Sequence, residues 1–96
     1  TGIEAFASLT VLSCVGNNLT SLNVSQNTAL VELFCSSNSI SSLDVSNNTS
    51  LARLGCTYNN INALNVSNNL ALYELYCGNN SLSNSLLGQS VFPQSF

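Results

Sequence analysis

Cysteines stand at Cys14, Cys35, Cys56 and Cys77, one every 21 residues, and each occupies the same point of a longer frame. That frame reads Leu-x-x-Leu-x-Cys-x-x-Asn-x-Leu/Ile. It is filled by Leu9, Leu12, Asn17 and Leu19, then by Leu30, Leu33, Asn38 and Ile40. Leu51, Leu54, Asn59 and Ile61 fill it again, as do Leu72, Leu75, Asn80 and Leu82. A period in the range of about 20 to 50 residues signals a solenoid, because one such unit cannot bury its own apolar side and stacking has to supply a continuous core.

Each unit holds two alternating segments. In the first, Leu12 and Cys14 point inward while Val11, Ser13 and Val15 point outward, the period-2 pattern of a short strand. The second is weaker: Leu22-Asn23-Val24-Ser25, Leu43-Asp44-Val45-Ser46 and Leu64-Asn65-Val66-Ser67, followed by Asn27, Asn48 and Asn69. Asn17 and its equivalents close the turn, and a ladder of such side chains can satisfy backbone groups that the bend leaves unpaired. Two such segments leave no room for a helix of ordinary length. The expectation is an all-β solenoid of about four flattened coils, with parallel strands or extended segments on both sides. Its core is the Leu12, Leu33, Leu54, Leu75 column, the cysteines, the Leu22, Leu43, Leu64 column and the Val24, Val45, Val66 column.

Residues 1–8 fit a half coil, since Ile3 is in register with Val24, Val45 and Val66; residues 9–82 are the solenoid proper; residues 83–96 are a degenerate last coil or cap. In an unbroken frame Ser85 stands in the place of Leu64, Leu87 in that of Val66, and Pro93 and Phe96 in those of Leu72 and Leu75. Val91, Phe92 and Phe96 would be a liability on a free end. A start at Thr1, with no leader-like segment, points to an interior or processed piece.

Composition narrows the function. Arg53 is the only cation in a chain of net charge -3, so the basic footprint that nucleic acid or an anionic membrane surface requires is missing. No apolar run approaches the roughly 20 residues of a membrane span, so membrane insertion is not expected. With charged residues at 5%, solubility has to rest on Asn, Ser and Thr. The cysteines do not come in the close pairs of a metal site and there is no His. Disulfides are disfavoured too. Stacked coils bring equivalent Cα atoms to about 4.8 Å, but parallel side chains keep Cβ atoms beyond the roughly 3.8 Å that a bridge prefers. The thiols read as a ladder of small apolar groups, with no metal and no cofactor.

The repeated residues resemble leucine-rich repeats, and specifically the 21-residue class called IRREKO, with the pattern Leu-x-x-Leu-x-Leu/Cys-x-x-Asn-x-Leu-x-x-Leu-Asp-Leu-x-x-Asn-x-x. The match runs from Leu9 to about Leu82, and Thr1 to Phe6 resembles the start of arrays in secreted or surface proteins of Bacteroidetes-type bacteria. The resemblance implies an extracellular or cell-surface repeat region, not an enzyme, used for binding or scaffolding. The chain departs from that class in charge, with Asn23 and Asn65 where Asp is usual and kept at Asp44.

Stacking turns outward positions into columns. Glu32, Arg53 and Glu74 form one. As an ion ladder it is worth a few tenths of a kcal/mol to about 1 kcal/mol. As an acid and base pair, Glu32 and Glu74 would lie about 9.6 Å apart, near the upper end for inverting glycoside hydrolysis. Arg53 between them would keep both ionised, which an acid cannot be. The next column is Ser13, Phe34, Gly55 and Tyr76, with Tyr58 at its edge. It reads either as a slot in which a sugar or peptide ring stacks or as aromatics leaning over a glycine. Serine nucleophiles are excluded by the lack of a His or Lys base. Asn18, Asn23, Asn47, Asn48, Asn65 and Asn79 begin Asn-x-Ser/Thr triplets, candidates for glycans or for plain turn chemistry. Two functions follow. One is a structural unit that self-associates end to end into a fibril, coated with glycans as a glycoprotein where the triplets are occupied. The other is a recognition or adhesion module that binds a protein or glycan on the aromatic strand face.

Overall fold

The computed structural model describes residues 6–82 and 86–87, and these contain strands and turns with no helix. The strands are β1 (Val11–Ser13), β2 (Glu32–Phe34), β3 (Arg53–Gly55), β4 (Leu64–Asn65), β5 (Glu74–Tyr76) and β6 (Leu86–Leu87). Strands β1, β2, β3 and β5 form one parallel sheet in that order, and β4 pairs with β6 in a second. Register follows the 21-residue frame, with Leu12, Leu33, Leu54 and Leu75 opposite one another. The strand side is extended, as the alternation predicts, whereas the second side is mostly turns and carries two-residue strands only.

The core lies between the two sides. Leu33, Leu54, Cys35 and Cys56 meet Val24, Val45, Val66 and Leu64 there, together with Leu30, Leu51, Ile40 and Ile61. The first coil is looser than expected, because Leu12, Cys14 and Leu22 are only partly buried. They stand at one end of the described stack, where coils cover one side alone.

Two features depart from the sequence reading. Gly16, Ser37, Tyr58 and Asn79 form a column of left-handed residues, with φ of 75°, 59°, 54° and 56°. Each directly precedes the Asn of the frame and turns the chain out of the strand. Gly and Asn are the residue types for such a turn, so Gly16 and Asn79 carried the signal. The second departure is in the last coil. Leu86, not Ser85, pairs with Leu64, and Leu87 pairs with Asn65, so the frame lengthens by one residue after β5. The slip puts a leucine back opposite a leucine. Pro93, Phe96 and the apolar Val91 and Phe92 lie outside the described residues.

Candidate functional site

The strand side is held by an unbroken set of backbone hydrogen bonds between coils. Cys14 N–H donates to Phe34 O, Cys35 N–H to Gly55 O and Cys56 N–H to Tyr76 O, each at 2.8 Å. Beyond the strands, Ser37 N–H reaches Thr57 O and Tyr58 N–H reaches Gly78 O. Asparagines then take what is left. Asn59 Nδ2 donates to the carbonyls of Cys35, Cys56 and Thr57 at 3.1, 3.0 and 3.2 Å, and its Oδ1 accepts from Ile40 N–H at 3.0 Å. Asn38 and Asn80 repeat this set one coil earlier and one coil later. The result is a stiff platform whose outward side chains have fixed neighbours.

On that platform the charged column assembles as a ladder. Arg53 Nε lies 3.1 Å from Glu74 Oε1, and Nη1 lies 3.8 Å from Glu32 Oε2. Tyr73 joins them. Arg53 Nε donates to the Tyr73 hydroxyl at 2.9 Å and its guanidinium sits 5.7 Å from the ring centre. The Tyr73 hydroxyl first, and Glu74 next, hold the guanidinium more firmly protonated than usual. Tyr73 was not among the sequence candidates, because it stands one residue before the frame's strand in a column with Thr10, Val31 and Ala52. Its signal was the one aromatic in that column.

Phe34, Gly55 and Tyr76 come together as the register requires. A Cβ placed on Gly55 would lie 3.1 Å from Phe34 Cδ1, so the Phe34 ring leans over the glycine and covers it. Tyr58, Tyr73 and Tyr76 remain exposed, as do Val11, Val15 and Val31. Val11 and Tyr76 expose apolar surface on the strands themselves, and Val15, Val31, Tyr58 and Tyr73 do so beside them; Phe6 and Leu70 are exposed too, away from the sheet.

The second side is built from turns. Asn23 Oδ1 accepts from Ser25 N–H and Oγ, Asp44 Oδ1 from Ser46 N–H and Oγ, and Asn65 Oδ1 from the same groups of Ser67. These bonds, the Ser46 hydroxyl foremost, hold the Asp44 carboxyl below its ordinary range. Furrows of about 380 and 320 Å³ run between successive turns, floored by Leu22, Leu43 and Leu64, with Asp44 bordering both. The repeated Leu-Asx-x-Ser motif was the signal for them. Asn18, Asn23, Asn47, Asn65 and Asn79 are exposed. Asn48 is the exception among the triplets, with no exposed surface, and its Nδ2 donates to Val24 O at 3.0 Å and Asn27 O at 2.9 Å. A side chain enclosed in this way has no nitrogen to offer a glycan, so Asn48 drops out of the candidates.

The four cysteines are free thiols, three buried and Cys14 half-buried. Burial pushes the Cys35 thiol up to about 12 and Cys77 to about 11, and it raises Cys14 and Cys56 as well. Such thiols are poor nucleophiles and poor metal ligands, since both roles need the thiolate. Among the described residues no group of three or more His, Cys, Asp or Glu is placed to hold a metal ion, and no helix is long and apolar enough to cross a membrane.

Solved structures share this architecture. The functional domain of InlJ from Listeria monocytogenes, described as including a cysteine ladder, matches with a TM-score of 0.78 at 35% identity over 80% of this chain and 17% of its own. An internalin, InlF, from the same species matches with a TM-score of 0.78 at 23% identity, over 98% of this chain and 32% of its own. Internalin C2, also from that species, matches with a TM-score of 0.74 at 19% identity, over 97% of this chain and 45% of its own. The chain thus spans less than half the length of each. No family model and no curated protein matches the sequence. The fold is an all-β leucine-rich-repeat solenoid.

Proposed function

We propose that this leucine-rich-repeat solenoid is a non-enzymatic recognition module of a larger secreted or cell-surface protein, and that it holds a protein ligand on the outer face of the four-stranded sheet. The carrying observation is that exposed Val11, Tyr73 and Tyr76 surround the Glu32, Arg53, Glu74 ladder on the stiff strand side, with exposed Tyr58 in the turn beyond it. Tyrosines on a stiff backbone suit binding, because they give large contact area with few rotatable bonds to immobilise. The likeness, at 35% identity, to what is described as the functional domain of InlJ supports the same reading. The test replaces Tyr73 and Tyr76 by Ser and measures binding of the purified chain to a panel of receptor ectodomains and to a glycan array. Saturable binding to a protein, lost in the double variant with the circular dichroism unchanged, is expected. Binding that the double variant retains would overturn the reading.

End-to-end stacking into a fibril has one observation in its favour. Among the described residues β1 and β5 are the outermost strands of the sheet, and an outermost strand is where another chain can pair. Electron microscopy with intact mass on one sample separates the two. Single particles of bare 10.1 kDa mass favour recognition, whereas filaments heavier than the bare chain favour a glycan-coated fibre.

A further inference from the structure

The charged column is lopsided. Arg53 donates its Nε–H to the Tyr73 hydroxyl at 2.9 Å, with Nε 3.1 Å from Glu74 Oε1, and leaves Glu32 to Nη1 at 3.8 Å. That last distance is too long for a hydrogen bond. Glu32 therefore keeps a half-exposed carboxylate, its side chain 32% accessible, beside the chain's single cation that is already engaged elsewhere. Arg53 flanks it on one side, and the other side is apolar. Val11 stands opposite it in register and is exposed, and Phe34, two residues on, shares its face of the strand.

We propose that Glu32 is the anchor of a cation-binding subsite, and that the face takes a polypeptide segment bearing an Arg or Lys side chain at that point. The cation pairs with Glu32, and the aliphatic stem lies on Val11. Arg fits better than Lys, since a planar guanidinium can also stack against the neighbouring Phe34 ring. Charge complementarity selects this occupant. Two carboxylates and one cation leave the ladder one negative charge in excess, in a chain of net charge -3. An anionic polymer is repelled there, and a neutral glycan can offer the carboxylate hydroxyl hydrogen bonds but no compensating charge. The inference rests on the recognition reading above and adds the chemistry of the ligand.

The test is nuclear magnetic resonance of the isotope-labelled whole chain, titrated with the peptide acetyl-Val-Arg-Val-Arg-Val-amide, with its Arg-to-Gln counterpart and with cellohexaose. Saturable shifts centred on Val11, Glu32 and Phe34 are expected with the Arg peptide alone. Glu32→Gln should weaken binding about threefold to fivefold, the worth of a partly exposed ion pair. Asp44→Asn, on the other side of the coil, should leave it unchanged. Equal loss in the two variants, or shifts that never saturate, would mean diffuse attraction and overturn the inference. A response of Tyr73 and Tyr76 to cellohexaose without one to the Arg peptide would also overturn it, while leaving that face a recognition surface. The recognition reading fails separately, when the Tyr73 and Tyr76 double variant keeps its binding.

Discussion

The two long sides of each coil carry asparagine at the same period and use it differently. On the strand side Asn59 Nδ2 reaches three carbonyls and its Oδ1 takes the Ile40 N–H, so every polar atom of the amide group is engaged. On the other side Asn48 Nδ2 reaches Val24 O and Asn27 O, and its Oδ1, like that of Asn69, is buried without a partner among the described residues. The carbonyls differ as well. Val24 O and Asn27 O already accept from Asn27 N–H at 3.0 Å and Leu30 N–H at 3.2 Å, so Asn48 adds a second donor to each. The Ile40 N–H, by contrast, gives its bond to Asn59 Oδ1. The lesson is that the same side chain closes a ladder in one place and reinforces turns in the other. The side with the closed ladder is also the one that displays the aromatic face.

The asparagines of the two sides should contribute unequally to stability. Asn59→Ala should destabilise by about 3 kcal/mol, since it strands a buried N–H and removes shared donors. Asn48→Ala should cost about 1 kcal/mol, because its two carbonyls keep their turn partners and an unpaired oxygen disappears. Urea midpoints measure both, and equal losses would show that the two ladders are equivalent after all.

The thiols come next. Cys56→Ser should cost about 2 kcal/mol by burying a hydroxyl where no polar partner waits. Cys56→Ala should cost less, about 1 kcal/mol, as a small cavity. Because burial raises the folded-state pKa above the ordinary 9.0, to about 12 at Cys35 and about 11 at Cys77, the folded chain keeps protons that the unfolded chain releases. Stability contributed by the thiols is thus whole below pH 9.0 and falls as pH rises from there toward 11 and 12. A melting temperature that does not fall over that window, or that falls equally in Cys35→Ala, would break the argument. At neutral pH a thiol reagent should label Cys14 first, because the other three are buried.

The smallest effect is expected at the turn itself. Tyr58 holds φ of 54°, where Gly16 and Asn79 stand in other coils. Tyr58→Asn should therefore stabilise by about 0.5 to 1 kcal/mol, the cost of a left-handed conformation for a bulky residue. If Tyr58 also contacts the ligand, the same variant gains stability and loses affinity. A variant with unchanged stability and unchanged affinity would place Tyr58 outside both roles.

Much of this was legible. A period of 21 with Leu, Cys and Asn at set points determines a stacked, helix-free coil, because only inward Leu and Cys at alternate positions can build a shared core from units this short. The column partners of Glu32, Arg53 and Glu74, and of Phe34, Gly55 and Tyr76, follow from the same arithmetic. What the sequence could not say is how side chains within a column divide a limited partner. Only the folded chain decided that Arg53 turns to Glu74 and Tyr73 rather than to Glu32, that Phe34 closes over Gly55, and that Asn48 is enclosed while Asn47 is not. It also moved the last coil by one residue, to pair Leu86 with Leu64. Periodicity specifies which residues become neighbours; direction, rotamer and burial are set by packing among those neighbours, and a repeat pattern holds no record of them.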